Sequence, residues 1–150
     1  MKIAIGSDHG GVELKAFLAK ELAASATVFD KGPAGRESCD YPDYAAAVAR
    51  EVAAGSVDFG ILICRSGIGM AMAANRYQNV RAAMCATTEA ATLTRQHNGA
   101  NVLCLGADTV SAVGRVVISK SSIAIDGVSG LDGSNGWWLK PPTHDNPSLI

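Results

Sequence analysis

The chain has 150 residues, a formal net charge of −1 and 48% hydrophobic residues. That is enough for one domain with a buried core, and the near-neutral charge removes any reason to expect nucleic-acid or anionic-membrane binding. No uncharged apolar run approaches membrane-spanning length, and the opening Met-Lys-Ile-Ala-Ile-Gly reads as a strand rather than a signal peptide, so a cytoplasmic protein is expected.

In chain order, Lys2 to Gly6 is the first strand candidate, followed by the polar turn Ser7-Asp8-His9-Gly10-Gly11. Leu14, Phe17, Leu18 and Leu22 recur at helical spacing and predict an amphipathic helix over about residues 11 to 24. Ala26 to Asp30 reads as a second strand and Lys31 to Asp40 as a loop. Tyr41-Pro42 opens a helix with Tyr44, Val48 and Val52 on its buried face and Gly55 at its end. Val80 to Cys85 is the fourth strand candidate; Thr87 or Thr88 caps a helix to about His97, and Asn98-Gly99 stops it. Asn101 to Leu105 is the fifth strand, closing on Gly106. Val110, Val113 and Val117 line a short helix, after which Ser129 to Asn135 reads as loop. Five strands alternating with helices predict a three-layer α/β/α domain, Rossmann- or flavodoxin-like, with a mainly parallel sheet. Residues 1–110 form the expected core; residues 111–150 form a helix and an atypical tail, in the same domain or at an oligomer interface.

The third strand organises the rest. Phe59 to Ile63 is apolar and uncharged, as in a strand buried on both faces, and Cys64 closes it. Arg65-Ser66-Gly67-Ile68-Gly69 then turns into the helix-compatible Met70 to Asn75. A strand, a Ser/Gly turn and a helix start present free backbone N–H groups to one spot, where negative charge is favoured. A thiol beside such donors ionises more easily, and a base next to an oxyanion pocket is a catalytic arrangement. The plainer reading of Cys64 is a small buried hydrophobe. Cys39, Cys64, Cys85 and Cys104 form no CxxC pair, which suggests reduced thiols rather than a disulfide framework or a zinc site. Asp8 and His9 follow the first strand, where open α/β sheets bind ligands; the plainer roles are a helix cap and a solvated turn. His97 sits in the last turn of its helix, where a cation also complements the dipole.

Taken together, these motifs resemble the ribose-5-phosphate isomerase B family, which includes the galactose-6-phosphate isomerase subunits. The resemblance is carried by Ile3-Ala4-Ile5-Gly6-Ser7-Asp8-His9-Gly10-Gly11, Asp30-Lys31-Gly32, Asp40-Tyr41-Pro42, Ile61-Leu62-Ile63-Cys64, Ser66-Gly67-Ile68-Gly69, Ala73-Ala74-Asn75-Arg76, Arg81-Ala82 and Arg95-Gln96-His97-Asn98, over about residues 1 to 108. It implies aldose–ketose isomerisation of a sugar phosphate through an enediolate, with no metal and no cofactor. It also implies a homodimer or homotetramer with active sites between subunits. Cys64 matches the proton-abstracting base, Ser66 a residue moving protons on the sugar oxygens, and His97 the acid that opens the ring. Backbone N–H groups from Arg65 through Gly67, Ile68 and Gly69, with Asn98, match the enediolate pocket. Asp8 and His9 match substrate-binding positions, and Tyr41 is placed with them. Some relatives use a glutamate in the next helix instead of the cysteine; Met70 and Ala71 offer none.

The chain also departs from that pattern. Arg65 stands where the family mostly has Gly, Asp108 where many members have a phosphate-binding Arg, and the usual C-terminal Gly-Gly-Arg-His and following Arg are missing. An Asp repels phosphate, so either the sugar is different or unphosphorylated, or Arg65 supplies the charge. A non-catalytic sugar-phosphate-binding subunit is the alternative from another class; a flavodoxin-like nucleotide binder lacks its glycine fingerprint.

Overall fold

A computed structural model describes residues 1–109 of the chain. The expected helix over Val110, Val113 and Val117, the loop at Ser129 to Asn135 and the division at residue 110 lie outside the described residues. Within them the elements run β1 (Lys2–Ser7), α1 (Val12–Leu22), β2 (Thr27–Asp30), α2 (Tyr41–Ala53), β3 (Phe59–Cys64), α3 (Ile68–Ala74), β4 (Ala82–Met84), α4 (Thr88–Asn98) and β5 (Val102–Gly106). The strands form one sheet of order β2-β1-β3-β5-β4, and every pairing is parallel.

Side-chain alternation along the strands divides the core into two layers. Ile61 and Ile63 of β3 pack with Leu14, Leu18 and Leu22 of α1 and Ala91 of α4. Leu62 and Cys64 face the other way, with Val48 and Val52 of α2 and Met70 and Ala74 of α3. All of β3 is buried, which is why its sequence shows an apolar run rather than alternation. Burying Ile61, Leu62 and Ile63 contributes about 1.5–3 kcal/mol each.

The strand order positions the site. The chain leaves β1 to one side to form β2, then returns past β1 to form β3 on the other side. The loops after β1 and β3 therefore diverge and open a crevice at the carboxyl ends of the strands, where such sheets bind ligands. The two loops are tied at the crevice floor, where Asp8 N–H donates to the Ile63 carbonyl at 3.0 Å.

The three-layer parallel architecture agrees with the sequence expectation, and the differences are local. Phe17 is 42% exposed rather than part of the α1 core face, because Leu14, Leu18 and Leu22 already fill the stripe against the sheet. Tyr44 is only partly buried. β4 is shorter than the apolar run from Val80 to Cys85. Val80 is held in a turn by its N–H to the Tyr77 carbonyl, after Asn79 at φ 63°, and Arg81 N–H bonds the Asn101 side chain instead of a neighbouring strand. Thr87 rather than Thr88 caps α4, its hydroxyl accepting from Ala90 N–H at 3.1 Å, and Gly99 ends the helix at φ 60°.

Candidate active site

The site begins with the sulfur of Cys64 at the end of β3. Its Sγ accepts a hydrogen bond from Gly67 N–H at 3.1 Å in a buried setting. This contact depends on the conformation of Gly67, which takes φ 79°. A Cβ there would stand 2.9 Å from the Leu105 carbonyl carbon and 3.0 Å from Met84 Cγ. Only glycine therefore allows the turn to fold back over the sulfur while resting on the end of β5. Ser66, partly buried in the same turn, accepts Ile68 N–H on its Oγ at 3.3 Å. Gly69 lies against the ring of Tyr41, whose Cε2 is 3.1 Å from the position a Cβ would take. The first turn of α3 adds backbone N–H groups that no helical carbonyl can reach.

The other cysteines stand elsewhere in the fold. Burial pushes the Cys85 thiol up to about 11 and raises that of Cys104 as well. Cys39 is only partly buried, and its backbone N–H donates to His9 Nδ1 at 3.3 Å. That bond gives His9 an unprotonated Nδ1, so its other nitrogen is the donor available to the crevice.

Asp8 is 8% exposed, and its Oδ1 accepts from Gly10 N–H at 2.9 Å and Gly11 N–H at 3.1 Å. One carboxylate oxygen thus shapes the β1–α1 loop, while the residue preceding α1 is Gly11. A Cβ on Gly11 would lie 2.7 Å from Ile63 Cγ2. That close approach brings the loop onto β3 and sets Asp8 against the carboxyl end of that strand, where its N–H meets the Ile63 carbonyl.

Arg65 turns away from the sulfur and donates from Nε to Asp108 Oδ2 at 2.8 Å. That bond raises the Arg65 guanidinium above its ordinary range. Arg65, Asp108, His9, Gly10, Glu13 and Arg36 border a cleft of about 190 Å³, with Glu13 and Arg36 ion-paired across its rim. A larger groove of about 580 Å³ runs between α2 and α3 along Met72, Ala73 and Tyr77, and shares only Tyr41 with the predicted site residues. The smaller cleft is the chemically relevant one, because it adjoins the strand ends that carry Asp8, His9 and Cys64.

His97 and Asn98 are at the opposite end of the sheet. α4 runs antiparallel to the strands, ends at Asn98 and is followed by β5 from Val102. Val102 pairs with Gly60 and Gly106 with Cys64, so the amino end of β5 is about 13 Å along the sheet from Cys64. Arg81 Nε donates to the Asn98 carbonyl, and Asn98 shares a small cleft with Asn75, Arg81 and Thr94. One chain therefore brings together Asp8, His9, Tyr41, Cys64, Ser66, Gly67, Ile68 and Gly69, with Arg65 alongside, and leaves His97 and Asn98 apart.

Sequence reading missed Cys39, Arg36 and Glu13. No local pattern marks them: Arg36 meets Glu13 across 23 positions, and Cys39 meets His9 across 30.

A family model described as Ribose/Galactose Isomerase matches residues 3–121. The chain is 46% identical over 110 residues to ribose-5-phosphate isomerase B of Escherichia coli, covering 73% of this chain and 74% of that protein. It superposes on the solved structure of a ribose 5-phosphate isomerase from Thermotoga maritima with a TM-score of 0.83 at 40% identity, over 87% of this chain and 90% of the other. It is also similar to ribose-5-phosphate isomerase B from Mycoplasma genitalium solved with bound ribulose-5-phosphate, with a TM-score of 0.78, 40% identity and coverage of 81% and 82%. On its fold, its motifs and these similarities, the chain belongs to the ribose/galactose isomerase family and is an aldose–ketose isomerase.

Proposed function

We propose that the enzyme interconverts an aldose phosphate and a ketose phosphate of the ribose 5-phosphate/ribulose 5-phosphate type. The observation that carries this reading is the Cys64 sulfur, held at the crevice and hydrogen-bonded by the Gly67 N–H. Isomerisation needs a base for a carbon-bound proton, donors for the oxyanion that develops, and a second acid/base to open the sugar ring. Cys64, as thiolate, takes the proton from C2 of the open-chain aldose. The enediolate charge is met by backbone N–H groups of the turn from Arg65 to Gly69. Ser66 moves the proton between the two sugar oxygens, and Cys64 returns its proton to C1. His97 opens the ring, and Asn98 adds a donor to the oxyanion pocket.

The fold bears on how the last two residues reach the substrate. His97 and Asn98 stand at the amino ends of the strands and Cys64 at the carboxyl ends, so a site containing all three takes His97 and Asn98 from a second copy of the chain. This is the physical support for a homodimer or homotetramer with composite sites. No helix among the described residues is long and apolar enough to cross a membrane, and the chain's four cysteines are unpaired. We place the enzyme in the cytoplasm, where thiols remain reduced.

The reading is tested by assaying the purified chain on ribose 5-phosphate. Cys64→Ala should lower kcat by about 10³-fold or more while binding of the sugar phosphate stays within a few fold. Near-normal kcat in this variant would remove Cys64 from the chemistry. An inactive wild type that still binds the sugar phosphate would instead favour the non-catalytic binding subunit.

A further inference from the structure

The cleft beside the catalytic turn is bordered by two guanidinium groups to which the isomerisation steps assign no role. Cys64 ends β3 and Arg65 follows it, and their side chains go to opposite sides. The Cys64 sulfur belongs to the face covered by α2 and α3. Arg65 crosses to the β1–α1 loop, where its Cγ lies 2.9 Å from the position a Cβ on Gly10 would take. A sugar whose reacting end meets the sulfur can therefore direct its far end over the strand terminus toward Arg65.

Arg65 is held at two points. Its Nε donates to Asp108 Oδ2 at 2.8 Å, and Asp108 N–H donates to the Arg65 carbonyl at 3.0 Å. Only one of the five guanidinium N–H donors is used in the first contact, and the terminal nitrogens make no hydrogen bond to the described residues. Those nitrogens form the planar fork that matches two oxygens of a phosphate. Arg36 borders the same cleft, paired with Glu13. Both side chains of that pair are highly exposed, at 68% and 79%, and such pairs contribute little to stability. His9 completes the wall with its free ring nitrogen. Glu13 and Asp108 balance the two arginines in the free protein, so an anion enters by replacing Glu13 on Arg36 rather than by meeting a bare positive patch.

We propose that Arg65, aimed by Asp108 and joined by Arg36, anchors the phosphate group of the substrate and sets the preference for phosphorylated over free sugars. The proposal rests on the sugar-phosphate isomerase reading and adds to it the residues that hold the phosphate. Asp108 is a positioning residue. Alone it would repel phosphate; bonded to Arg65 Nε it is neutralised and fixes the fork.

The test uses the full chain in a kinetic arm and a binding arm. In the kinetic arm, Arg65→Ala should raise KM for ribose 5-phosphate roughly ten- to hundred-fold with kcat little changed, the pattern of lost uniform binding. Arg36→Ala should raise it several-fold, and both variants should lower the preference for ribose 5-phosphate over free ribose, read as the ratio of the two kcat/KM values. Asp108→Asn separates positioning from repulsion by sign: positioning predicts a higher KM for the phosphorylated sugar, whereas relief of repulsion predicts a lower one. A KM within two-fold of wild type in Arg65→Ala overturns the anchor, and an unchanged or lower KM in Asp108→Asn overturns the role of Asp108. In the binding arm, affinities for ribose 5-phosphate and ribose are measured on Cys64→Ala with and without Arg65→Ala. If the wild type turns over neither sugar but ribose 5-phosphate affinity still depends on Arg65, the isomerase reading fails and the anchor stands. If the enzyme is active and that affinity does not depend on Arg65, the anchor alone fails.

Discussion

The two ends of the sheet use polar groups in opposite ways. At the amino ends, polar side chains bind the chain's own backbone. Asn75 bonds both the N–H and the carbonyl of Ala82, each at 2.8 Å. Asn101 takes Arg81 N–H and gives to the Asn79 carbonyl, and Arg95 gives to the Ala100 carbonyl. At the carboxyl ends the groups are only partly used among the described residues: Asp8 spends one oxygen on its loop, Arg65 spends one of its donors, and the Cys64 sulfur receives a single N–H. Parallel strands make this difference. All five carboxyl ends lie together, so the following loops and helix starts converge there with unpaired backbone donors. The amino ends receive helix C-termini, whose spare carbonyls need closing. His97 and Asn98 sit on the closed end but carry chemistry suited to the open one, which is the reason to look for a second copy of the chain.

The largest expected effect tests that division directly. Cys64→Ala and His97→Ala should each be nearly inactive on cyclic sugar phosphate. If the sites are composite, mixing the two variants under subunit exchange should restore about a quarter of wild-type activity for a dimer. Half of a random mixture is then heterodimer with one intact site of two. No recovery on mixing, with exchange verified by mass spectrometry, would place His97 and Cys64 in the same chain's site or remove one of them from it.

A smaller effect concerns how the open end is kept in shape. Lys15 is 2% exposed and gives its Nζ to both oxygens of Asp30, at 2.5 and 2.7 Å, and to the Pro33 carbonyl at 2.9 Å. Asp30 Oδ1 also accepts Gly32 N–H at 2.8 Å. This cluster pins the loop that carries Cys39 and leads into Tyr41. Asp30→Ala leaves a buried ammonium without its carboxylate and should cost about 3 kcal/mol in urea unfolding, the low end for such a break because Asp30 is half exposed. Lys15→Met, which removes the charge and keeps the volume, should cost less; an equal or larger loss would mean that packing rather than the ion pair holds the loop.

The smallest effect shows that a polar group at the open end can still be purely structural. Thr87 stands at the start of α4, on the carboxyl side of the sheet, and caps Ala90 N–H. Thr87→Ala should cost about 1 kcal/mol in thermal or urea unfolding and leave kcat and KM unchanged. A kinetic effect without a stability effect would mean that the helix start reaches the substrate.

Much of this was legible in the residues because its causes are local. The all-apolar run from Phe59 to Ile63, the Ser66-Gly67 turn and Thr87 before a helical stretch each announce themselves within a few positions. β4 misled because Val80 is apolar for the core, not for strand pairing: it is buried, although pairing with β5 begins only at Ala82. Phe17 misled because helical spacing identifies a stripe without saying how wide the sheet beneath it is. Arg36, Glu13 and Cys39 could not be read at all, since their partners are set by how loops from different strands meet.

The sequence by itself determined the order of the elements, the buried central strand, the Cys64 turn and the family, because periodicity, glycine placement and motif spacing are properties of neighbouring residues. The tertiary structure alone decided the strand order β2-β1-β3-β5-β4, with the crevice that opens between β1 and β3. It also decided that Asp108 faces Arg65 instead of standing as a bare carboxylate, and that His97 lies at the far end of the sheet from Cys64. Those facts depend on which crossovers the chain takes, and crossover choice is settled by packing among distant residues that no local pattern records.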